Sequence, residues 1–302
     1  MLKAVLALLL PLVAMASEES PYIYVLGIAQ DAGYPQAGCY REHCVPGWKD
    51  RDKRITVSSI AVVSPRDSSK YIFDATPSFP EQLYRLDRQA PEEHLRGIFL
   101  THAHIGHYTG LMHLGREVMG ARAMPVYAMP LMRKFLETNG PWSQLVRLKN
   151  IELKDLQDDV TVTLGAVHVT PLRVPHRDEF SETVGFHIKG PERSAVFIPD
   201  IDKWQKWQTD IRDVIRQVDY ALLDATFFAD GEIPGRAMSE IPHPFVEESM
   251  QLFDELSDDE KSRVIFIHMN HTNPILDSES DAYKSVIDAG YRVASEGLRL
   301  EL

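Results

Sequence analysis

The sequence predicts a single layered α/β domain, and three observations predict it. Short apolar runs alternate with helically spaced segments in both halves of the chain. No long linker and no internal sequence repeat divides the 302 residues. A boundary near Asn150 is where two halves would part, and neither half shows a loop-rich break there. Histidine or aspartate also stands at the end of strand after strand, as ligand-bearing residues do at the carboxyl edge of open α/β sheets.

Residues 1–16 stand apart. Lys3 gives a positive start, residues 4–13 are apolar, and Ala14, Met15 and Ala16 form a small-x-small cleavage signal. The apolar run is short for a bilayer. The expectation is an exported protein, periplasmic or secreted, cut after Ala16. Residues 17–302 are then the mature domain, with no membrane insertion.

Residues 22–28 read as a first strand, running into a loop at 29–36 rich in Gly, Pro and amides. Further strands are expected at 55–63, 70–74, 97–100 and 125–128, with helices over 80–88, 108–119 and 130–137. In the second half, 160–164, 168–174 and 183–188 alternate as half-buried strands, and 195–198 reads as a buried one. Residues 221–223 end on Asp224 and 264–267 end on His268. Trp204, Trp207, Ile211, Val214, Ile215 and Val218 recur at the spacing of one amphipathic helix, and 244–256 and 282–289 complete the helices.

At 44% hydrophobic and 25% charged, the composition supplies a substantial core. The formal charge of −12 argues against nucleic acid or anionic membrane as a partner. A small-molecule substrate is expected instead. The two cysteines, Cys39 and Cys44, read as a disulfide or as free thiols. A zinc knot with His43 is the sharper alternative, one ligand short.

The densest chemistry lies at residues 101–110, where His102, His104 and His107 directly follow the apolar run 97–100. Neutral imidazole is the commonest protein ligand for zinc and suits iron. Three histidines in a polar loop can simply be solvated, but their place at a strand-to-helix junction favours a metal. Asp74, His176, Asp200 and His268 also follow apolar runs. Each alone reads as a cap or a packed residue. Together they read as one site.

The order of these residues resembles the metallo-β-lactamase superfamily, whose hallmark is H-x-H-x-D-H followed by a later His, an Asp and a final His. Residues 27–36, 224–228, 266–275 and 290–302 look most similar to the branch containing the pyrroloquinoline quinone biosynthesis B proteins. The resemblance implies an αββα sandwich with metal at the upper edge of its two sheets. By position it puts His102, His104 and His176 on a first metal, Asp200 as a bridge, and His107 with His268 on a second. Asp74 would orient the loop from behind. One or two zinc ions are implied, with iron or manganese as alternatives. The family's Asp between the second and third histidines is Gly106 here, so a weaker second site is expected. His243 and His271 are possible replacements, each reading more readily as a pocket-lining or surface residue.

The resemblance implies a hydrolase that directs a metal-activated water at an ester, amide or phosphoester, with Asp200 and His268 as the catalytic candidates. Iron-dependent oxidation related to the quinone-biosynthesis branch is the alternative, as is a non-catalytic metal- or ligand-binding protein. Tyr34, Tyr108, Phe227 and Phe228 are aromatic candidates for a pocket lining, and packing is the reading favoured for the two phenylalanines.

Overall fold

A computed structural model describes residues 20–235 and 237–302; the expected signal peptide lies outside the described residues. Side-chain alternation along the first strands sets the layers. In β1 (Tyr22–Gly27), Ile23 and Val25 join one core while Tyr22, Tyr24 and Leu26 join another. β2 (Ser59–Ser64) divides the same way, Ile60 and Val62 against Ala61 and Val63. A strand with apolar residues at both parities must be covered on both faces.

The first sheet continues through β3 (Ser69–Phe73), β4 (His94–Phe99), β5 (Met124–Ala128) and β6 (Ile151–Asp155). The second holds β7 (Val162–Leu164), β8 (Val167–Arg173), β9 (Val184–Lys189), β10 (Ser194–Ile198), β11 (Tyr220–Asp224), β12 (Val264–Ile267) and β13 (Arg292–Val293). β14 (Arg299–Glu301) returns to pair antiparallel with β1, so the first sheet runs β14-β1-β2-β3-β4-β5-β6 and the second β13-β12-β11-β10-β9-β8-β7. Both sheets are mixed. Pairing is parallel from β3 to β6 and from β10 to β13, and antiparallel elsewhere.

One apolar cluster fills the space between the sheets. Phe73 and Phe99 stack with ring centroids 4.9 Å apart, and Phe186 from the second sheet meets them edge-on at 5.2 and 5.7 Å. Each such buried ring contributes roughly 1.5–3 kcal/mol. The helices Phe79–Gln89, Pro130–Thr138 and Trp142–Arg147 cover the outside of the first sheet through Phe79, Leu86, Met132, Leu136 and Leu145. The helices Ile211–Gln217, Val246–Leu252 and Asp281–Asp288 pack against the second through Ile211, Ile215, Val246 and Val286. This is the expected αββα order.

Several elements differ from expectation. The helix expected over 108–119 is a short turn, Ile105–Tyr108, and a 3-10 segment, Thr109–Leu114. Gly110 tightens the chain there by resting on the backbone of Ala75 and Thr76, donating its N–H to the Ala75 carbonyl at 2.8 Å. The helix expected over 204–218 is broken. Its two indoles anchor in different places, Trp204 on Ser249 and Trp207 on the Arg173 carbonyl, and Asp210 caps a fresh start at Ile211. β6, β13 and β14 and the helix Asp258–Arg263 have no counterpart in the sequence reading.

Candidate metal centre

The parallel strands of both sheets deliver their last residues to one edge of the sandwich. Asp74 follows β3 and Thr101 and His102 follow β4; Asp200 follows β10, Asp224 ends β11 and His268 follows β12. Asp74 and His268 leave their strands with positive φ, 69° and 67°, an unfavourable conformation for a side-chain-bearing residue. Both turns aim a buried polar group at the gap between the sheets.

Asp74 organises the histidine loop. Its Oδ1 accepts the Thr101 N–H at 2.8 Å, and its Oδ2 accepts the Thr101 hydroxyl at 2.9 Å and His107 Nδ1 at 2.7 Å. With Nδ1 so engaged, His107 presents Nε2 to the gap. Ser181 accepts the Ala103 N–H at 2.8 Å, and the Val184 N–H donates to the Thr101 carbonyl, tying this loop to the opposite sheet.

Asp200 is the hub. Its Oδ2 lies 3.2 Å from His102 Nε2, 3.9 Å from His104 Nδ1 and 3.8 Å from His107 Nε2. Its Oδ1 lies 3.3 Å from His176 Nε2 and 3.2 Å from His243 Nδ1. His102, His104, His176 and Asp200 bring one donor atom each within 4.8 Å of one another. Asp31, His107 and His268 form a second such set, and Asp200, Asp224 and His243 a third. All six residues expected to hold metal therefore meet at one place.

The donor atoms fit a cation. Among the described residues, the buried side-chain atoms without a hydrogen bond include His107 Nε2, His176 Nε2, His268 Nε2, Asp200 Oδ1 and Asp31 Oδ1. An unpaired buried polar atom costs about 1–3 kcal/mol. His176 and Asp200 belong to the first donor set and Asp31, His107 and His268 to the second, and a cation in each set accounts for such atoms. The opposite atoms of the same side chains are held as ligand histidines require. Asp202 Oδ1 lies 3.2 Å from His176 Nδ1, Thr226 Oγ1 3.1 Å from His268 Nδ1, and Glu179 Oε2 2.9 Å from His104 Nε2.

The field here is negative enough to bind protons where metal is absent. Burial alone lowers a histidine, yet Asp74, with Asp31 and Asp200 behind it, raises His107 to about 9. His243 is likewise raised to about 9, burial being outweighed by Asp224 and Asp200. His102 goes the other way, held well below the usual imidazole range by burial and by His107. Asp200 would be raised by burial, but His176 and His243 hold it well below the carboxylate range.

Asp31 and Asp224 carry no sequence signal strong enough to find them at this edge, whereas His243 is one of the two possible replacements named from the sequence. Asp31 sits in the polar loop after β1 and approaches His107 Nε2 to 3.6 Å. Asp224 closes a strand whose end looks like an ordinary cap, and its Oδ2 accepts His243 Nδ1 at 2.8 Å. His243 is 5% exposed and belongs to the centre, not to the surface. His271 does not reach the centre. It joins Cys39, His43 and Cys44 in a separate cluster, supplying the fourth donor that the sequence lacked, while the two sulfurs are bonded as a disulfide. Tyr108 turns away from the site to pack on Phe135 and Trp142, and Phe227 packs on Phe245 and His243. Tyr34 lines a cleft of about 750 Å³ with His43, Arg54, His271 and Glu296, beside the centre and not over it.

With fold and geometry in place, comparison with known proteins defines the class. The family described as "Beta-lactamase superfamily domain" matches residues 69–269, more than half of the chain. The chain belongs to the metallo-β-lactamase superfamily. Within it, the chain is similar to coenzyme PQQ synthesis protein B of Xanthomonas oryzae pv. oryzae (strain MAFF 311018), 25% identical over 313 residues, covering 93% of this chain and 99% of that protein. Among solved structures it is similar to Zn(2+)-bound PqqB from Methylobacterium extorquens, with TM-score 0.77, 22% identity and coverage of 93% of this chain and 100% of that one. A diphosphatase from the PhnP family follows at TM-score 0.65 and 22% identity, covering 93% of this chain and 97% of that one. These two structures support the fold.

Proposed function

We propose that the protein is a metal-dependent hydrolase, and we take phosphodiesters as its substrate class. The observation carrying this reading is the gathering, at Asp200 and in the donor set beside it, of buried donor atoms that have no hydrogen bond. A divalent metal held there lowers the pKa of a water and polarises a phosphoryl or carbonyl oxygen. Asp200 stays ionised and holds the two donor sets together. Glu179 fixes the His104 ring, and Asp202 the His176 ring.

His243 is the proton donor in this reading. Asp224 holds its Nδ1 at 2.8 Å, which leaves Nε2 for the substrate. The water gives one proton to solvent and its oxygen bonds to phosphorus, the bond from phosphorus to the leaving alkoxide breaks, and His243 protonates that alkoxide and is reprotonated from solvent. His268, fully buried with Thr226 at Nδ1, acts as a ligand and not as an acid.

The test is a substrate panel of alkyl and aryl phosphodiesters, carboxylic esters, lactones and β-lactams, run on zinc- and manganese-loaded protein. Phosphodiester turnover, lost on chelation and in His102→Ala or His104→Ala, is the expected result. No turnover across the panel by metal-replete protein would sink the reading.

A second reading, iron-dependent oxidation, is favoured by the full-length similarity to the PQQ synthesis proteins. Oxygen uptake by iron-loaded protein with tyrosine-containing peptides would separate it from hydrolysis. Export belongs to the proposal too. The Cys39–Cys44 disulfide suits an oxidising compartment, and the mass of the secreted chain's N-terminus tests cleavage after Ala16.

A further inference from the structure

We propose that Asp31, from the loop after β1, is a ligand of a second divalent metal together with His107 and His268, with Asp200 shared between the two sites. This deepens the hydrolase reading and rests on its metal, but not on its substrate.

Three observations converge on it. The atoms Asp31 Oδ1, His107 Nε2 and His268 Nε2 are all buried without a hydrogen bond and lie within 4.8 Å of one another. Each of their opposite atoms is engaged. Asp31 Oδ2 accepts Gln30 Nε2 at 3.3 Å, His107 Nδ1 bonds Asp74, and His268 Nδ1 bonds Thr226. The free atoms therefore face a common point that no hydrogen-bond partner fills among the described residues.

The loop is also built to hold Asp31 there. Ala29 forms bridges to Val57, just before β2, and to Met269 next to His268. The Gln30 N–H donates to the Met269 carbonyl at 2.8 Å, and the Met269 N–H to the Ile28 carbonyl at 2.9 Å. Asp31 itself adopts a positive φ of 30°. The residue before the ligand is thus clamped to the residue after His268.

Gly106 completes the argument. A Cβ on residue 106 would lie 2.5 Å from the Asp31 Cα and 3.2 Å from its Cγ. A side chain at 106 and Asp31 in its present place exclude each other. Gly106 is the bare surface against which Asp31 folds, so the carboxylate absent from the histidine loop is supplied from the loop after β1. Asp31 precedes residue 69, where the family match begins. An oxygen and two imidazole nitrogens, with a shared carboxylate, suit zinc, manganese or ferrous iron.

The experiment counts metal in the full mature chain by elemental mass spectrometry after loading with zinc or manganese and removal of excess. Two ions per chain are expected, falling to one in the isosteric Asp31→Asn. Gly106→Ala should lose the same ion by displacing Asp31. The exchange Asp31→Gly with Gly106→Asp should restore two. Cobalt absorption should halve in Asp31→Asn, and circular dichroism confirms that each variant is folded. One ion in the parent protein, or two retained in Asp31→Asn, would overturn the proposal. A count that depends on Asp31 in a protein that hydrolyses nothing would uphold it while removing the hydrolase reading.

Discussion

Asp74 and His243 show how single side chains define this centre. Asp74 is fully buried and accepts three hydrogen bonds, from the Thr101 N–H, the Thr101 hydroxyl and His107. Asp74→Ala leaves three buried donors unpaired, at about 1–3 kcal/mol each with partial relief from relaxation. A loss of roughly 3–5 kcal/mol is expected in a urea titration, with weaker metal retention because His102 and His107 lose their shared support. A stability change below about 1 kcal/mol would show that Asp74 does not carry the loop. His243 separates chemistry from scaffold. If it protonates the leaving group, His243→Ala should cost about 10²–10⁴-fold in kcat for alkyl phosphodiesters. It should cost little for p-nitrophenyl diesters, whose phenolate leaves without a proton. Equal losses on both would remove the acid role. Asp224→Asn should reproduce the pattern more weakly, since it only holds Nδ1.

At the scale of elements, what could be read in the sequence depended on where the determining contacts lie. β3, β10 and β12 are apolar runs with their own signal, and the polar residue after each is readable because it interrupts that run. β6 alternates Ile151 and Leu153 with Glu152 and Lys154, the pattern of a half-buried strand. β13 and β14, two and three residues long, carry no pattern; they exist because β12 and β1 offer them an edge. The broken helix at 204–218 kept helical spacing while Trp204 and Trp207 chose separate partners, which only the packed structure reveals. Asp31 was unreadable for the same reason, since its role appears only once Gly106 is seen beneath it. Short tertiary elements need not be weak. β14 buries Leu300, the residue after it buries Leu302, 4% and 1% exposed, and the strand closes the edge of β1. Removing residues 298–302 forfeits about 1.5–3 kcal/mol per leucine and uncovers a strand edge. Lower soluble yield and a Tm drop of several degrees are expected; an unchanged melting curve would show that β1 needs no partner on that side.

Across the whole molecule, the centre is a clamp between the two halves of the sandwich. His102, His104 and His107 belong to the first sheet's edge; His176, Asp200 and His268 belong to the second's. Without a cation, Asp31, Asp74, Asp200 and other carboxylates crowd this edge, and a proton on His107 relieves part of that charge. Metal binding to the native state alone stabilises by RT ln(1 + [L]/Kd), about 4 kcal/mol at a thousandfold excess over Kd. At roughly 2–4 °C per kcal/mol for a domain of this general size, zinc should raise Tm by roughly 8–16 °C. Chelation should reverse the gain. Because the ion ties the two edges to each other, hydrogen exchange should accelerate together at residues 101–108, 200–202 and 268–270 when metal is removed. The outer helix Phe79–Gln89 contributes no donor atom and packs on the far face of the first sheet, so its protection should fall only with global unfolding. Loosening confined to one of the two edges would mean that the ion decorates one sheet and does not join the pair.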